Sequence, residues 1–216
     1  MSKAKLALLA GVLVMLVDAA QAADSGLQGF KAGDILVRGR GLVVFPTVDS
    51  SVMPIGGQAN ASSSLEPEAD ISYFFTSNIS AELSAAISRH HVSDKASSIG
   101  NVDLGQVSLL SPTLTAQYHF LSAAPVSPYV GAGVNYTVYF DHGLPSGGPV
   151  TQIHYDNALG AAIQAGADFH LAGNWYINLD VKHIFLTTHV KINGGAIGGD
   201  VSINPTIVGL GIGYKF

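Results

Sequence analysis

Val208-Gly209-Leu210-Gly211-Ile212-Gly213-Tyr214-Lys215-Phe216 is the stretch whose reading decides the fold. Val208, Leu210, Ile212, Tyr214 and Phe216 fall on one face, and Gly209, Gly211, Gly213 and Lys215 on the other. A period of two is the signature of a β-strand. In a soluble domain the apolar face would need a core. With Phe216 taken as the end of the chain, no further segment follows to cover that face, so lipid is expected to do so. A strand that turns apolar residues outward and closes on an aromatic is how a transmembrane β-barrel finishes.

The other end of the sequence agrees. Lys3 and Lys5 make a basic start, Leu6 to Val17 is apolar with glycine, and Ala20-Gln21-Ala22 is an A-x-A cleavage pattern. Residues 1–22 therefore read as a secretory signal peptide, leaving 23–216 as one domain. The alternative, a helical membrane anchor, needs a span of roughly 17–25 apolar residues, which this run does not reach. Loss of Lys3, Lys5 and Asp18 would leave the chain one unit more acidic than its formal −5. Charged residues are 12% of the chain, about half the share in a soluble domain. There is no cysteine, so an exported chain must be held without disulfides. A membrane protein without long apolar helices is expected to be a closed barrel, because unpaired backbone is too costly in lipid. The mild acidity gives no basic patch for nucleic acid.

Eight alternating segments follow: 34–45, 65–75, 79–88, 107–120, 129–140, about 155–169, 175–185, and the terminal strand. The fold class expected is all-β, an eight-stranded antiparallel transmembrane barrel. Short connections (76–78, 121–127, 170–174) alternate with long polar ones (46–64, 90–106, 141–154, 187–202). Outer-membrane barrels have short periplasmic turns and long external loops. Both termini are therefore expected on the periplasmic side. Aromatics gather near strand ends, at Tyr73, Phe74 and Phe75, Tyr118 and Phe120, Trp175 and Tyr176, and Tyr214 and Phe216. They read as an interfacial girdle.

Several motifs, in order along the chain, carry a resemblance. They are Ser111-Pro112-Thr113-Leu114-Thr115-Ala116-Gln117-Tyr118-His119-Phe120, Pro128-Tyr129-Val130-Gly131-Ala132-Gly133-Val134-Asn135-Tyr136, and Asn174-Trp175-Tyr176-Ile177-Asn178-Leu179-Asp180-Val181. Asn204-Pro205 and the terminal Gly-Tyr-Lys-Phe complete the set. The chain resembles the outer-membrane protein W (OmpW) family. That resemblance implies a monomeric barrel in the outer membrane of a Gram-negative bacterium. It would be surrounded by lipid and lipopolysaccharide and assembled by machinery that meets Phe216. It also implies a narrow channel that carries small hydrophobic solutes and releases them sideways into the membrane. Some members of the family are linked to colicin or phage attachment.

The inward residues divide by height. Ser80, Glu82, Gln117, His119, Gln164, Asp168, Asn178, Asp180, Lys182 and Lys215 are expected near the periplasmic end. Their mixed charges suit an ion-paired plug. Toward the outside, Leu42, Val44, Leu109, Tyr139, Ile184, Leu186 and Ile207 are expected to line an apolar pocket, open outward and blocked below. Glu66 and Glu68 fall in the upper half by strand direction, where Arg38 or Arg40 would have to pair with them. An eight-stranded barrel is just wide enough for side chains to fill it, so a closed plug without transport is the competing reading.

Proline cannot donate to a sheet ladder. Pro112 lies within the fourth segment, at a place the family resemblance associates with a lateral opening. A tolerated bulge is the alternative, and Pro67 is a second proline of the same kind.

Other chemistry finds little support. His90 and His91 are adjacent and would diverge on an extended chain, and neither H-x-H nor H-x-x-x-H spacing occurs. No metal site or cofactor is expected. The Gly-x-Gly spacings at 131–133, 209–211 and 211–213 lie within strand patterns, with no following helix to hold a phosphate. Gly-x-Ser-x-Gly is absent, and no enzymatic activity is expected. The competing function is a closed structural or surface-interaction barrel, a phage or colicin receptor or an adhesin.

Overall fold

The computed structural model describes residues 29–45, 48–49, 58–60, 65–97, 100–143, 153–192 and 197–216. The expected signal peptide lies outside these residues, as do parts of the four long connections. Among the described residues twelve strands run in chain order: β1 (Ile35–Phe45), β2 (Val48–Asp49), β3 (Gln58–Asn60), β4 (Leu65–Phe74), β5 (Ile79–Ser97) and β6 (Gly100–His119). They continue with β7 (Val126–Gly143), β8 (Ile153–Tyr155), β9 (Ala158–Ala172), β10 (Trp175–Ile192), β11 (Ile197–Ile203) and β12 (Thr206–Lys215).

Eight of these close on themselves in the order β12-β1-β4-β5-β6-β7-β9-β10, and β10 pairs back onto β12. Every pairing is antiparallel, so each barrel strand has a neighbour on both sides. Closure satisfies the backbone without an edge, which lipid demands. The expected all-β barrel of eight strands is therefore what forms.

Alternation sets the two surfaces. Along β1 the residues are buried and exposed in turn, with Leu36, Arg38, Arg40, Leu42 and Val44 inward. The outer surface is a band of exposed apolar side chains, among them Leu83, Leu114, Val134, Ile163, Val181, Leu210 and Ile212. This is the reverse of a soluble barrel, whose apolar side would face the core.

The strands outrun several expected boundaries. β5, β6, β7 and β10 are 19, 20, 18 and 18 residues long, about twice what crossing a bilayer takes. Much of the connections expected at 90–106 and 187–202 is strand. β5 runs on to pair Ser97 with Gly100, and the upper part of β10 pairs with β11. Asn204 and Pro205 interrupt the sheet between β11 and β12. The expected sixth segment divides into β8, which pairs with β10, and β9. Polar composition marks water-facing chain, and a hairpin rising out of the membrane is polar while still extended.

At the opposite end the turns are tight. Between β4 and β5, Thr76 Oγ1 accepts from the amides of Asn78 and Ile79, at 3.2 and 2.9 Å. Between β9 and β10 only Gly173 and Asn174 turn, and Gly173 has φ +59°, a conformation glycine takes without a steric penalty. A ring of aromatics circles this end: Tyr73 with Phe75, Tyr118 with Phe120, and Trp175 with Tyr214, each pair edge-on with centroids 5.0–5.2 Å apart. Two members of the expected girdle are not in it. Phe74 is fully buried and Tyr176 is 4% exposed, because their strand parity points them into the lumen.

Candidate functional site in the barrel lumen

The lumen is filled in three layers. At the turn end is an aromatic cap. Phe30, from the segment preceding β1, enters the barrel mouth and stacks on Phe74 and Tyr176, with centroids 4.3 and 5.1 Å away. His119 meets Phe30 edge-on at 5.4 Å and donates or accepts with Ser80 and Ser127. The amide of Phe30 donates to the carbonyl of Ser122 (2.9 Å), which ties the segment to the β6–β7 turn. Lys215 sits at this rim, its Nζ donating to the Gly29 carbonyl (3.0 Å) and lying 3.4 Å from Asp34. It is apart from the charges deeper in the barrel. Phe30 carried no strand pattern in the sequence, so its place in the barrel mouth was not visible there.

Above the cap is a buried charged layer. Arg38 donates from Nε to Asp70 (2.8 Å), from Nη1 to both oxygens of Asp168 (3.0 and 3.1 Å), and from Nη2 to Ser72 (2.6 Å) and Glu82. Arg40 donates to Glu82 at 2.7 Å and lies within ion-pair distance of Asp70 (2.6 Å) and Glu68 (3.1 Å). Lys182 bridges Glu68 (3.2 Å) and Ser84 (2.9 Å). Glu82 is the hub, also accepting from Gln117 (2.9 Å) and Gln164 (3.0 Å). Asp180 accepts from Tyr129 (2.8 Å) and Gln164 (2.9 Å), and Asn178 links Tyr129 to Asp168. Charges taken from water are tolerated when paired and hydrogen-bonded. Every charge of this layer has an opposite charge beside it, and Arg38 and Glu82 are the most fully hydrogen-bonded.

Of the residues expected to form the plug, the structure brings Glu82, Gln117, Asp168, Asp180 and Lys182 together in this layer, whereas His119 lies in the cap below and Lys215 at the rim. Glu68 joins this layer and is not an upper-lumen residue. Its ladder partner is Arg40, and strand tilt displaces equal counts along neighbouring strands to different heights. Glu66 stays above and accepts from Ser88.

The glycines of β12 make space for the two arginines. A Cβ on Gly213 would come within 2.6 Å of Arg38 Cγ, and one on Gly211 within 2.6 Å of Arg40 Cγ. The small face of the terminal strand is thus the bed on which both guanidinium stems lie.

The third layer, toward the long hairpins, has an apolar wall, while Glu66 and Ser88, the ladder partners of Leu42 and Leu109, are buried polar members of the same layer. Ile184 and Leu186 on β10 pack with Ala158 and Ala162 on β9, and Ile207 joins them from β12. Val44 is the ladder partner of Ile207, and Leu42 that of Gly209. Leu109 and Tyr139 are ladder partners on β6 and β7, on the same inward parity. The seven expected pocket residues therefore share the upper lumen face. Ala158, Gly160 and Ala162 complete its β9 wall, a small-residue alternation that the sequence reading passed over.

The wall beside this layer has a break. Pairing of β6 with β7 runs from His119↔Tyr129 up to Thr113↔Asn135 and resumes at Leu110↔Val138, skipping Ser111 and Pro112. On its other side β6 stays in register, with Pro112 opposite Ala85. Pro67 borders a second irregularity, where the β4–β5 ladder stops at Glu68↔Ala86 and does not resume. Proline without an N–H explains why the ladder fails beside it.

Comparison with known proteins agrees with this architecture. The OmpW family model matches residues 31–216. The outer membrane protein W of Vibrio cholerae serotype O1 is 34% identical over 194 residues, covering 85% of this chain and 89% of the relative. The dibenzothiophene metabolism operon protein PahQ of Pseudomonas aeruginosa is 25% identical over 166 residues, covering 74% and 76%. The crystal structure of the outer membrane protein OprG from Pseudomonas aeruginosa superposes with a TM-score of 0.75 at 28% identity, over 88% of this chain and 99% of that one. With the family matched over residues 31–216, this chain belongs to the OmpW family of outer-membrane β-barrels.

Proposed function

We propose that the barrel is a passive facilitator for small hydrophobic molecules. An apolar solute enters from the long-hairpin end, taken as the cell exterior, and lodges among Leu42, Val44, Leu109, Tyr139, Ile184, Leu186 and Ile207. The charged layer and the Phe30 cap oppose passage to the periplasm, where both termini and the Phe216 rim lie. The solute leaves sideways into lipid between β6 and β7 at Pro112. The observation that carries this reading is the interrupted ladder at Ser111–Pro112, one strand from the apolar wall on β9 and above the charged layer. The name of PahQ, tied to metabolism of the apolar aromatic dibenzothiophene, supports the same solute class. The barrel works as a monomer among lipid and lipopolysaccharide, and no catalytic step is assigned to it.

The test is uptake of N-phenylnaphthylamine by cells producing the protein. Leu42→Asp and Ile184→Asp place a charge in the upper lumen and should slow uptake while the barrel remains folded. Pro112→Ala should also slow it, and Pro67→Ala serves as the control at the other break. Uptake indifferent to both aspartates would mean that the pocket is not the path.

A second reading has its own observation. Ala158, Ala162, Ile184 and Leu186 are at most 6% exposed, so they already pack against one another. A closed barrel whose hairpins attach phage, colicin or a host surface would look like this. Its mark would be normal receptor activity in variants whose lumen is blocked.

A further inference from the structure

The break in the β6–β7 ladder is closed by side chains, and one residue makes most of the closure. Asn135 is fully buried on the inward face of β7. Its Nδ2 donates to Ser111 Oγ (2.8 Å) and to Thr113 Oγ1 (2.8 Å), and it reaches the carbonyl of Pro112 at 3.2 Å. Its Oδ1 accepts from Thr137 Oγ1 (2.9 Å), and Thr137 Oγ1 is 3.1 Å from Ser111 Oγ. The carboxamide thus lies against the Pro112 carbonyl in the part of the ladder that the missing proline N–H interrupts.

We infer that Asn135 is the latch of a lateral gate: its carboxamide holds β7 to β6 across the Ser111–Pro112 break, and release of that carboxamide opens the wall. The inference rests on the lateral-exit reading above and adds the residue that controls it. Backbone pairing frames the break below, at Thr113↔Asn135, and above, at Leu110↔Val138, so opening there need not unzip the barrel. Side-chain bonds can part without moving the strands' ends, which a continuous ladder could not allow.

The latch is also placed to sense a solute. Across β7's other edge Asn135 pairs with Gly160, and Thr137 pairs with Ala158, next to Ala162 in the apolar cluster. The carboxamide therefore lies one strand from the upper pocket, about 5 Å in sheet spacing. An apolar occupant there offers the Asn135 side chain no hydrogen bond. On the lipid side Pro112 and Tyr136 flank the break, with exposed Leu114 and Val134 below them. The way out leads into hydrocarbon.

The experiment uses the whole protein in cells, with N-phenylnaphthylamine as the probe. The chain has no native cysteine, so Ser111→Cys with Thr137→Cys can form one defined cross-link over the break. Asn135→Ala removes the latch, and Asn135→Leu removes it while keeping the side chain's bulk. Each variant is read as a folded barrel by its heat-modifiable migration. The inference expects the oxidised double-cysteine protein to lose uptake and regain it on reduction. It expects both Asn135 variants to take up probe roughly threefold faster or more, as loss of one net hydrogen bond would allow. If the cross-link blocks uptake but the Asn135 variants match or fall below wild type, the latch is wrong and lateral exit stands. If the cross-link leaves uptake unchanged, lateral exit falls and the latch with it.

Discussion

Arg38 and Asp168 meet inside the barrel from strands that are not neighbours, Arg38 Nη1 lying 3.0 and 3.1 Å from the two carboxylate oxygens. They are 130 residues apart in the chain, and both side chains are wholly buried. A link of this kind reaches through the lumen past β12 and β10, the two strands that separate β1 from β9 in the ring.

The two arginines of that layer should not tolerate substitution alike. Arg38 is saturated with directed bonds. Arg40 Nε and Nη1 align with no hydrogen-bond acceptor among the described residues, although Nη1 is 3.1 Å from Glu68. Arg40 is held by charge more than by geometry, and lysine keeps charge while losing the guanidinium fork. Arg38→Lys should therefore destabilise the barrel by on the order of 2 kcal/mol more than Arg40→Lys. Midpoints of heat-modifiable migration would give the order, and equal midpoints would contradict it.

The terminal strand's glycines should be graded by what each would strike. A Cβ on Gly211 meets the Gly39 carbonyl as well as Arg40, and backbone cannot move aside. On Gly209 the nearest atom is Leu42 Cδ2 at 2.9 Å, the end of a flexible side chain. Gly211→Ala should lower the folded yield more than Gly209→Ala in refolding into detergent or lipid. The reverse order would mean that the arginine bed is not what these glycines provide.

Phe30 should behave as a stopper. It is 3% exposed, and truncating a buried phenylalanine costs about 3 kcal/mol. Phe30→Ala should lower the thermal midpoint. It should also make His119, fully buried beneath the ring, reactive toward diethylpyrocarbonate in the folded barrel. An unreactive His119 would show that other groups seal this end.

Any ion leak through the floor should favour cations. Arg38, Arg40 and Lys182 face the carboxyl groups of Glu68, Asp70, Glu82, Asp168 and Asp180, so acids outnumber bases in the layer. A constriction of one sign concentrates ions of the other. Reversal potentials in a salt gradient should lie on the cation side. An anion-selective leak would place the conducting path elsewhere.

Much of this was legible along the chain. The Val208–Phe216 alternation fixed the membrane face of β12, and the same parity argument assigned the inward residues of all eight barrel strands. The inward parity of the apolar residues from Leu42 to Ile207 was readable because parity follows from counting along a strand. Counting failed where strands tilt, as at Glu68, and where polar segments remain extended, as in the long hairpins. It also missed Phe74 and Tyr176, since an aromatic near a strand end reads as girdle whichever way it points.

By itself, then, the sequence determined an exported, antiparallel barrel and the face of each strand. These properties follow from local periodicity, and each residue reports them through its neighbours in the chain. Only the tertiary structure decided that Arg38 reaches Asp168, that Phe30 closes one mouth, and that Asn135 spans the break at Pro112. Those contacts depend on closure, tilt and register, which bring together residues whose separation in the chain carries no trace of their meeting.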